Sequence, residues 1–223
     1  MSNPVFLQNL EALNAEHLAP LVAAGRASLT MGPSGAPGTS GDATKMLQVA
    51  LANEISVSEL AAAWMPTTPE IDVKLAFARQ AGDEAGHFQL VADRLSALGF
   101  DLAEFQPPGG NPLFQYLKGL SGTVARIAAG LFTLESLAYA VNESFMAYCD
   151  RQGDAETVRI YREFIQPDEL AHGQLGRRLL AKYATTQDLQ SVARDTVTRV
   201  LAIAGATRAK AADRLGAACF PGC

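Results

Sequence analysis

The chain has 223 residues and a formal net charge of −5, with 48% apolar but only 7% aromatic residues. That length suits one domain, and an Ala- and Leu-rich apolar set favours close-packed helices over a β-sandwich. An acidic balance with no basic stripe excludes a nucleic-acid partner. The opening Met1-Ser2-Asn3-Pro4 lacks the basic and apolar regions of a signal peptide, and the apolar run after Arg126 is interrupted by Glu135. A cytoplasmic protein without a membrane span is therefore expected. Three cysteines fit a reducing compartment, with Cys149 in the core and Cys219 and Cys223 as loose thiols of the tail.

In chain order, residues 1–41 should form an irregular N-terminal segment: a short amphipathic piece over about Val5 to Leu13, then a Gly/Pro-rich run from Met31 to Gly41. Asp42 is placed to cap a first long helix, about 43–65, which Pro66 stops. Thr68 should cap the next, with Pro69 at its first position, and Gly99 should end it. The connection 100–111, holding Pro107-Pro108-Gly109-Gly110, is long enough to be a crossover between two helical hairpins. Asn111-Pro112 starts a short helix broken near Gly119 to Gly122. A third long helix then runs to about Arg151, and Asp154 caps a fourth over about 155–183. A last helix, about 187–215, carries an apolar stripe and should pack outside the four.

One pattern occurs twice, Asp83-Glu84-Ala85-Gly86-His87 and Asp168-Glu169-Leu170-Ala171-His172, in a chain with only three histidines. Glu and His three residues apart project from one helix face, so each helix can offer a metal an oxygen and a nitrogen ligand. Two such helices, each joined by a glutamate from a further helix, would hold a pair of ions. Hard carboxylates, two imidazoles and no thiolate suit two iron or manganese ions per chain. On the first long helix Glu54 is the donor, mid-helix among Val49, Leu51, Ile55 and Val57, with Glu59 the alternative.

On the third helix the choice lies between Glu135 and Glu143. Glu135 stands 18 residues before Gly153, while Glu169 and His172 stand 16 and 19 after it. Residues equally far from a hairpin turn share a level, so Glu135 is preferred and Glu143 would line an access route. Asp83 and Asp168, one turn before the two histidines, should accept the imidazole N–H that faces away from the metal, on their own helix or the opposite one. The small residues Gly82, Gly86, Ala171 and Gly173 should allow close helix packing, or else leave open space for a substrate. Pro167 should kink, widen or restart its helix. Tyr139, one turn after Glu135, is expected in the core or on a ligand.

These residues, over about 42–183, resemble the ferritin-like di-iron carboxylate superfamily. Asp-Glu-x-x-His on both motif helices resembles its oxygen-activating branch, which includes multicomponent monooxygenases and ribonucleotide reductase small subunits. The string Asp83 to His87 resembles the catalytic subunit of the phenylacetyl-CoA epoxidase family. The resemblance implies an all-α, ferritin-like four-helix bundle (42–183) carrying the additional C-terminal helix. It also implies O2 activation, a reductase partner, an aromatic or acyl-CoA substrate and a homodimer. Two other functions fit the same residues: ferroxidase or peroxide-scavenging chemistry of the ferritin or rubrerythrin kind, and a non-catalytic metal-binding helical module.

Overall fold

A computed structural model describes residues 4–30, 40–107 and 109–222. Among these the protein is all-helical. Its long helices are α1 (Pro4–Thr30), α2 (Ser40–Trp64), α3 (Ile71–Ala97), α5 (Thr123–Arg151), α6 (155–183) and α7 (Gln187–Leu215). A 3-10 turn, Leu102–Glu104, and the short helix α4, Pro112–Lys118, fill the connection between α3 and α5. Asn111 and Asp154 cap α4 and α6 as expected, their side chains accepting from Leu113 N and Thr157 N. Two starts differ. α2 begins at Ser40, so Asp42 lies inside it, and Glu70 is the N-cap of α3. Thr68 closes the preceding helix instead: its hydroxyl donates to the Trp64 carbonyl at 2.8 Å, satisfying a group that Pro66 and the chain reversal leave free.

The N-terminal segment is the largest departure from expectation. It is a 27-residue helix, not a short piece followed by irregular chain. Its buried stripe of Phe6, Leu7, Leu10, Asn14 and Leu18 continues at helical spacing well beyond Leu13. Pro20 removes one donor, but Pro20 and Glu16 are both exposed, so water can satisfy the carbonyl left unpaired. The Gly/Pro run from Met31 to Thr39 lies outside the described residues.

α2 and α3 pair as one hairpin and α5 and α6 as another, while α1 packs across α5, α6 and α7. α7 lies against α5, α4 and α1. The apolar core is split in two. One cluster joins Val57, Trp64, Phe77, Leu131 and Leu180; the other joins Leu47, Leu51, Val91, Leu95, Phe145 and Tyr161. Along α2, α3 and α6 the boundary between the clusters falls at Glu54, at Glu84 and His87, and at Glu169 and His172. α5 is apolar enough to cross a membrane by length and composition, but 78% of its most apolar window is buried in the protein, and it carries Glu135 there.

Cys149 is buried as expected, and Cys219 is buried too, not a loose tail thiol. Gly216 (φ 70°) turns the chain back from α7. Ala218 N then donates to Ser28 Oγ, Arg208 donates to the Phe220 and Pro221 carbonyls, and Gly222 N donates to Asn142 Oδ1. Those bonds draw Cys219 and Phe220 into the second core cluster. Cys223 lies outside the described residues.

The closest helix approach is not at the glycines named above. A Cβ on Gly82 or Gly86 would meet nothing within 4 Å, because both face solvent, and one on Gly173 would make only ordinary contacts. A Cβ on Gly176 would lie 2.6 Å from the Leu131 carbonyl carbon and 2.7 Å from Phe132 N. Gly176→Ala must therefore push α6 off the α5 backbone and should cost about 1–3 kcal/mol. The Tm should fall by about 2–4 °C per kcal/mol for a chain of this size. Gly82→Ala, in an open helical position, should be neutral or stabilising. Equal melting temperatures for the Gly176→Ala variant and the parent would contradict this packing.

Candidate metal centre

Four glutamates and two histidines converge in the layer between the two core clusters. Glu54 comes from α2, Glu84 and His87 from α3, Glu135 from α5, and Glu169 and His172 from α6. All four carboxylates are 0% exposed, and the imidazoles are 2% and 5% exposed. His87 Nδ1 lies 3.3 Å from Glu84 Oε2 and 3.6 Å from Glu54 Oε2. His172 Nδ1 lies 3.6 Å from both Glu84 Oε1 and Glu135 Oε2. Two overlapping groups have donor atoms within 4.8 Å of one another: Glu54, Glu84, His87 and Glu169, and then Glu84, Glu135 and His172. Glu84 belongs to both.

The opposite ring nitrogens are held crosswise. His87 Nε2 lies 3.2 Å from Asp168 Oδ2, and His172 Nε2 lies 2.9 Å from Asp83 Oδ2. With Nε2–H donated outward, each ring in its neutral form turns its Nδ1 lone pair to the cluster. Each aspartate thus orients the histidine of the other motif helix.

The backbone bends to make this possible. α5 widens to π geometry over Ala128–Leu134, directly before Glu135, and α6 does so over Tyr161–Ile165, shortly before Glu169. Thr133 Oγ1 donates to the Ala128 carbonyl at 2.6 Å, using an acceptor that the wider turn exposes. On α6 the cause is Pro167, which has no N–H to continue regular i→i−4 bonding; the helix widens instead of breaking.

The structure brings Glu135 into the cluster and leaves Glu143 exposed, where it accepts from Gln166 at 3.2 Å. Glu59 is likewise exposed. Tyr139 is in neither expected place: it is 38% exposed at the lip of a surface groove. Gln80 was not singled out by sequence reasoning. It is buried one turn before Glu84 and donates Nε2–H to Glu135 Oε1 in a close contact. Its signal was available, since Val73, Phe77, Gln80, Glu84, His87 and Val91 form one buried helical stripe in which a glutamine needs a reason.

Much of this polar layer is unsatisfied. Both oxygens of Glu54 and of Glu169, one each of Glu84 and Glu135, and His172 Nδ1 are buried without a hydrogen-bond partner. Buried carboxylates are tolerated only when paired, protonated or bound to a cation. Burial, then the charge of Glu135, pushes Glu84 and Glu169 well above the usual carboxylate range. Burial would raise Glu135 as well, but the neighbouring Glu169 carboxyl and His172 imidazole, with the Gln80 amide, hold it below its ordinary value. Burial alone would lower the imidazoles. The Glu54 and Glu84 carboxylates close to its ring push His87 up to about 11 instead, and Glu135, Glu84 and Asp83 push His172 up to about 9. Protons therefore occupy the places a cation would fill.

Against known protein families, residues 38–218 match the one described as "Protein of unknown function (DUF455)", and the chain belongs to that family. No curated protein and no solved structure matches it.

Two outcomes follow from this geometry. Divalent ions can enter only as the imidazole protons leave. Apparent metal affinity should therefore rise with pH up to about 9, where His172 titrates, and further toward 11, where His87 does. In the metal-free protein the raised histidines stabilise the fold below about pH 6.5 and lose that contribution as pH climbs through 9 and beyond. Chelator competition across this window checks the first statement and thermal melting the second; pH-independent affinity would contradict the one and a melting temperature that does not fall as the pH is raised from 6.5 through 9 the other. In a His87→Ala background, Asp83→Asn should weaken the remaining metal site by about 10- to 100-fold, and Asp168→Asn should do the same in a His172→Ala background. Larger losses from the opposite pairings would refute the crosswise arrangement.

Proposed function

We propose that this DUF455 member is a di-metal carboxylate enzyme of ferritin-like build that uses O2 to oxidise a small organic molecule. Two iron or manganese ions would be held by Glu54, Glu84, His87, Glu135, Glu169 and His172. The observation that carries this reading is the set of buried, partnerless carboxylate oxygens facing two outward-anchored imidazoles. Two divalent cations would bring four positive charges to four carboxylates and satisfy the orphaned oxygens and nitrogen together. Such ions, when bound, supply the electrons that reduce O2, and a reductase partner replaces them.

The chain's own residues supply the rest. Glu84 belongs to both ligand groups and would help to hold either ion. Asp83 and Asp168 fix the tautomer and orientation of the imidazoles. Gln80 holds one oxygen of Glu135, leaving the other free for an ion. The apolar clusters above and below the layer exclude water and so strengthen every charge interaction within it.

A substrate enzyme is favoured over ferroxidase chemistry because a groove of about 360 Å³ reaches Glu169, with Leu18, Phe132 and Ala140 on its walls. An apolar approach suits an organic molecule better than a hydrated ferrous ion.

Purified protein should carry iron or manganese, with His87→Ala or His172→Ala losing at least one ion. Full occupancy in the double variant would sink the assignment. After anaerobic reduction of the iron-loaded protein, mixing with oxygenated buffer should give rapid transient visible absorbance. Slow, featureless reoxidation with mineralisation of excess iron would instead favour the ferritin-like alternative.

A further inference from the structure

We propose that the groove between α1, α5 and α6 is the substrate site of this centre, and that Asn14 on α1 positions the substrate in it. The occupant is a small, uncharged, mostly apolar molecule carrying one hydrogen-bond donor, a hydroxyl or an amide N–H. The inference rests on the reading of the cluster as a metal centre.

Asn14 stands out because the packing of α1 has no use for it. It follows Leu7 and Leu10 and precedes Leu18 on the buried stripe, where an apolar residue would complete the seam. It is 6% exposed and lines the groove, and its Oδ1 has no hydrogen-bond partner. A buried amide oxygen is ordinarily satisfied, so one left open on a cavity wall is a place for a ligand donor. Glu169, the buried glutamate of the second motif, is among the residues that line the same groove. Gly173 keeps the passage open beside it: a Cβ there would come no closer than 3.7 Å to any neighbour, but a longer side chain would fill the space. One groove thus joins an unpaired acceptor on α1 to a residue of the metal cluster.

Charge and size narrow the occupant. Arg177 and Glu11 form an ion pair across the rim, so the groove offers no surplus cation to an anionic group. At about 360 Å³ it sits at the low end of ligand pockets, which run from roughly 300 to 1,000 Å³. Both points disfavour an acyl-CoA thioester. A fully charged amine would lose its hydration against Leu18, Phe132 and Ala140 with one amide oxygen in return, which leaves a neutral donor as the better partner.

The test uses the full chain loaded with Mn2+, with benzyl alcohol and toluene as probes that differ in one donor. Saturation-transfer NMR reports binding, and relaxation of probe protons by Mn2+ reports proximity to the metal. Benzyl alcohol should bind about tenfold more tightly than toluene, as one satisfied buried acceptor implies. Asn14→Leu should abolish that preference while keeping or raising the melting temperature, since it removes an unsatisfied group. Gly173→Leu should block both probes without removing metal. Absence of binding, equal binding of the two probes, or a preference that survives Asn14→Leu would overturn the proposal. Donor-selective binding without enhanced relaxation would leave the groove assignment standing and overturn the metal-centre reading on which it rests.

Discussion

Four glutamates that share one fully buried layer are the constraint on which this structure depends. Each is fully buried, and together they would place four negative charges where solvent cannot screen them. Such a layer persists only if something positive, protons or metal ions, stays in it. The two histidines are pulled toward the protonated state by that demand, and Glu84 and Glu169 are pushed the same way. A layer like this adds little to fold stability by itself, because an apolar layer of similar volume would serve as well or better. Its retention at the boundary between two apolar clusters is an argument for chemistry rather than packing.

The surrounding backbone is shaped by the same layer. π segments on α5 and α6 precede Glu135 and Glu169, and both helices would carry their ligands at a different angle if they ran on as regular α-helix. Gly176 lets α6 approach the π segment of α5 with no side chain between them. α1 then covers the open flank of α5 and α6, and the returning tail seals a second flank through Asn142 and Arg208. These devices are spread over the whole chain, yet they act on the same few residues.

What could be read in the sequence depended on how local the controlling physics is. Glu84 with His87, and Glu169 with His172, were legible because helical spacing alone puts each pair on one face. Glu135 was legible through distance from the turn at Gly153, and the structure places it in the cluster and Glu143 in solvent. The end of α7 follows from a glycine, Gly216, free to turn left-handed, and the caps Asn111 and Asp154 from short-range hydrogen bonding. The length of α1 was missed because the stripe beyond Leu13 is legible only once the helices it packs against are known. Tyr139 and Cys219 were misplaced because their burial is decided by tertiary contacts, the groove in one case and the returning tail in the other. Whether each aspartate served its own histidine or the opposite one was open for a similar reason: both offsets are one helical turn.

The crosswise resolution of that ambiguity has a consequence for assembly. On antiparallel α3 and α6, Asp83 meets His172 while His87 meets Asp168, so the two contacts form a matched pair related by approximate two-fold symmetry. A slide of one helix past the other by one turn, about 5.4 Å, would break both contacts at once and leave neither histidine with its partner. Own-helix pairing would carry no such information, because it survives any slide. The outer contacts therefore fix the register of the two motif helices before any ion arrives, and they do so from half-exposed positions. An ion that enters meets donors already aimed inward, so its binding energy is not spent on aligning helices.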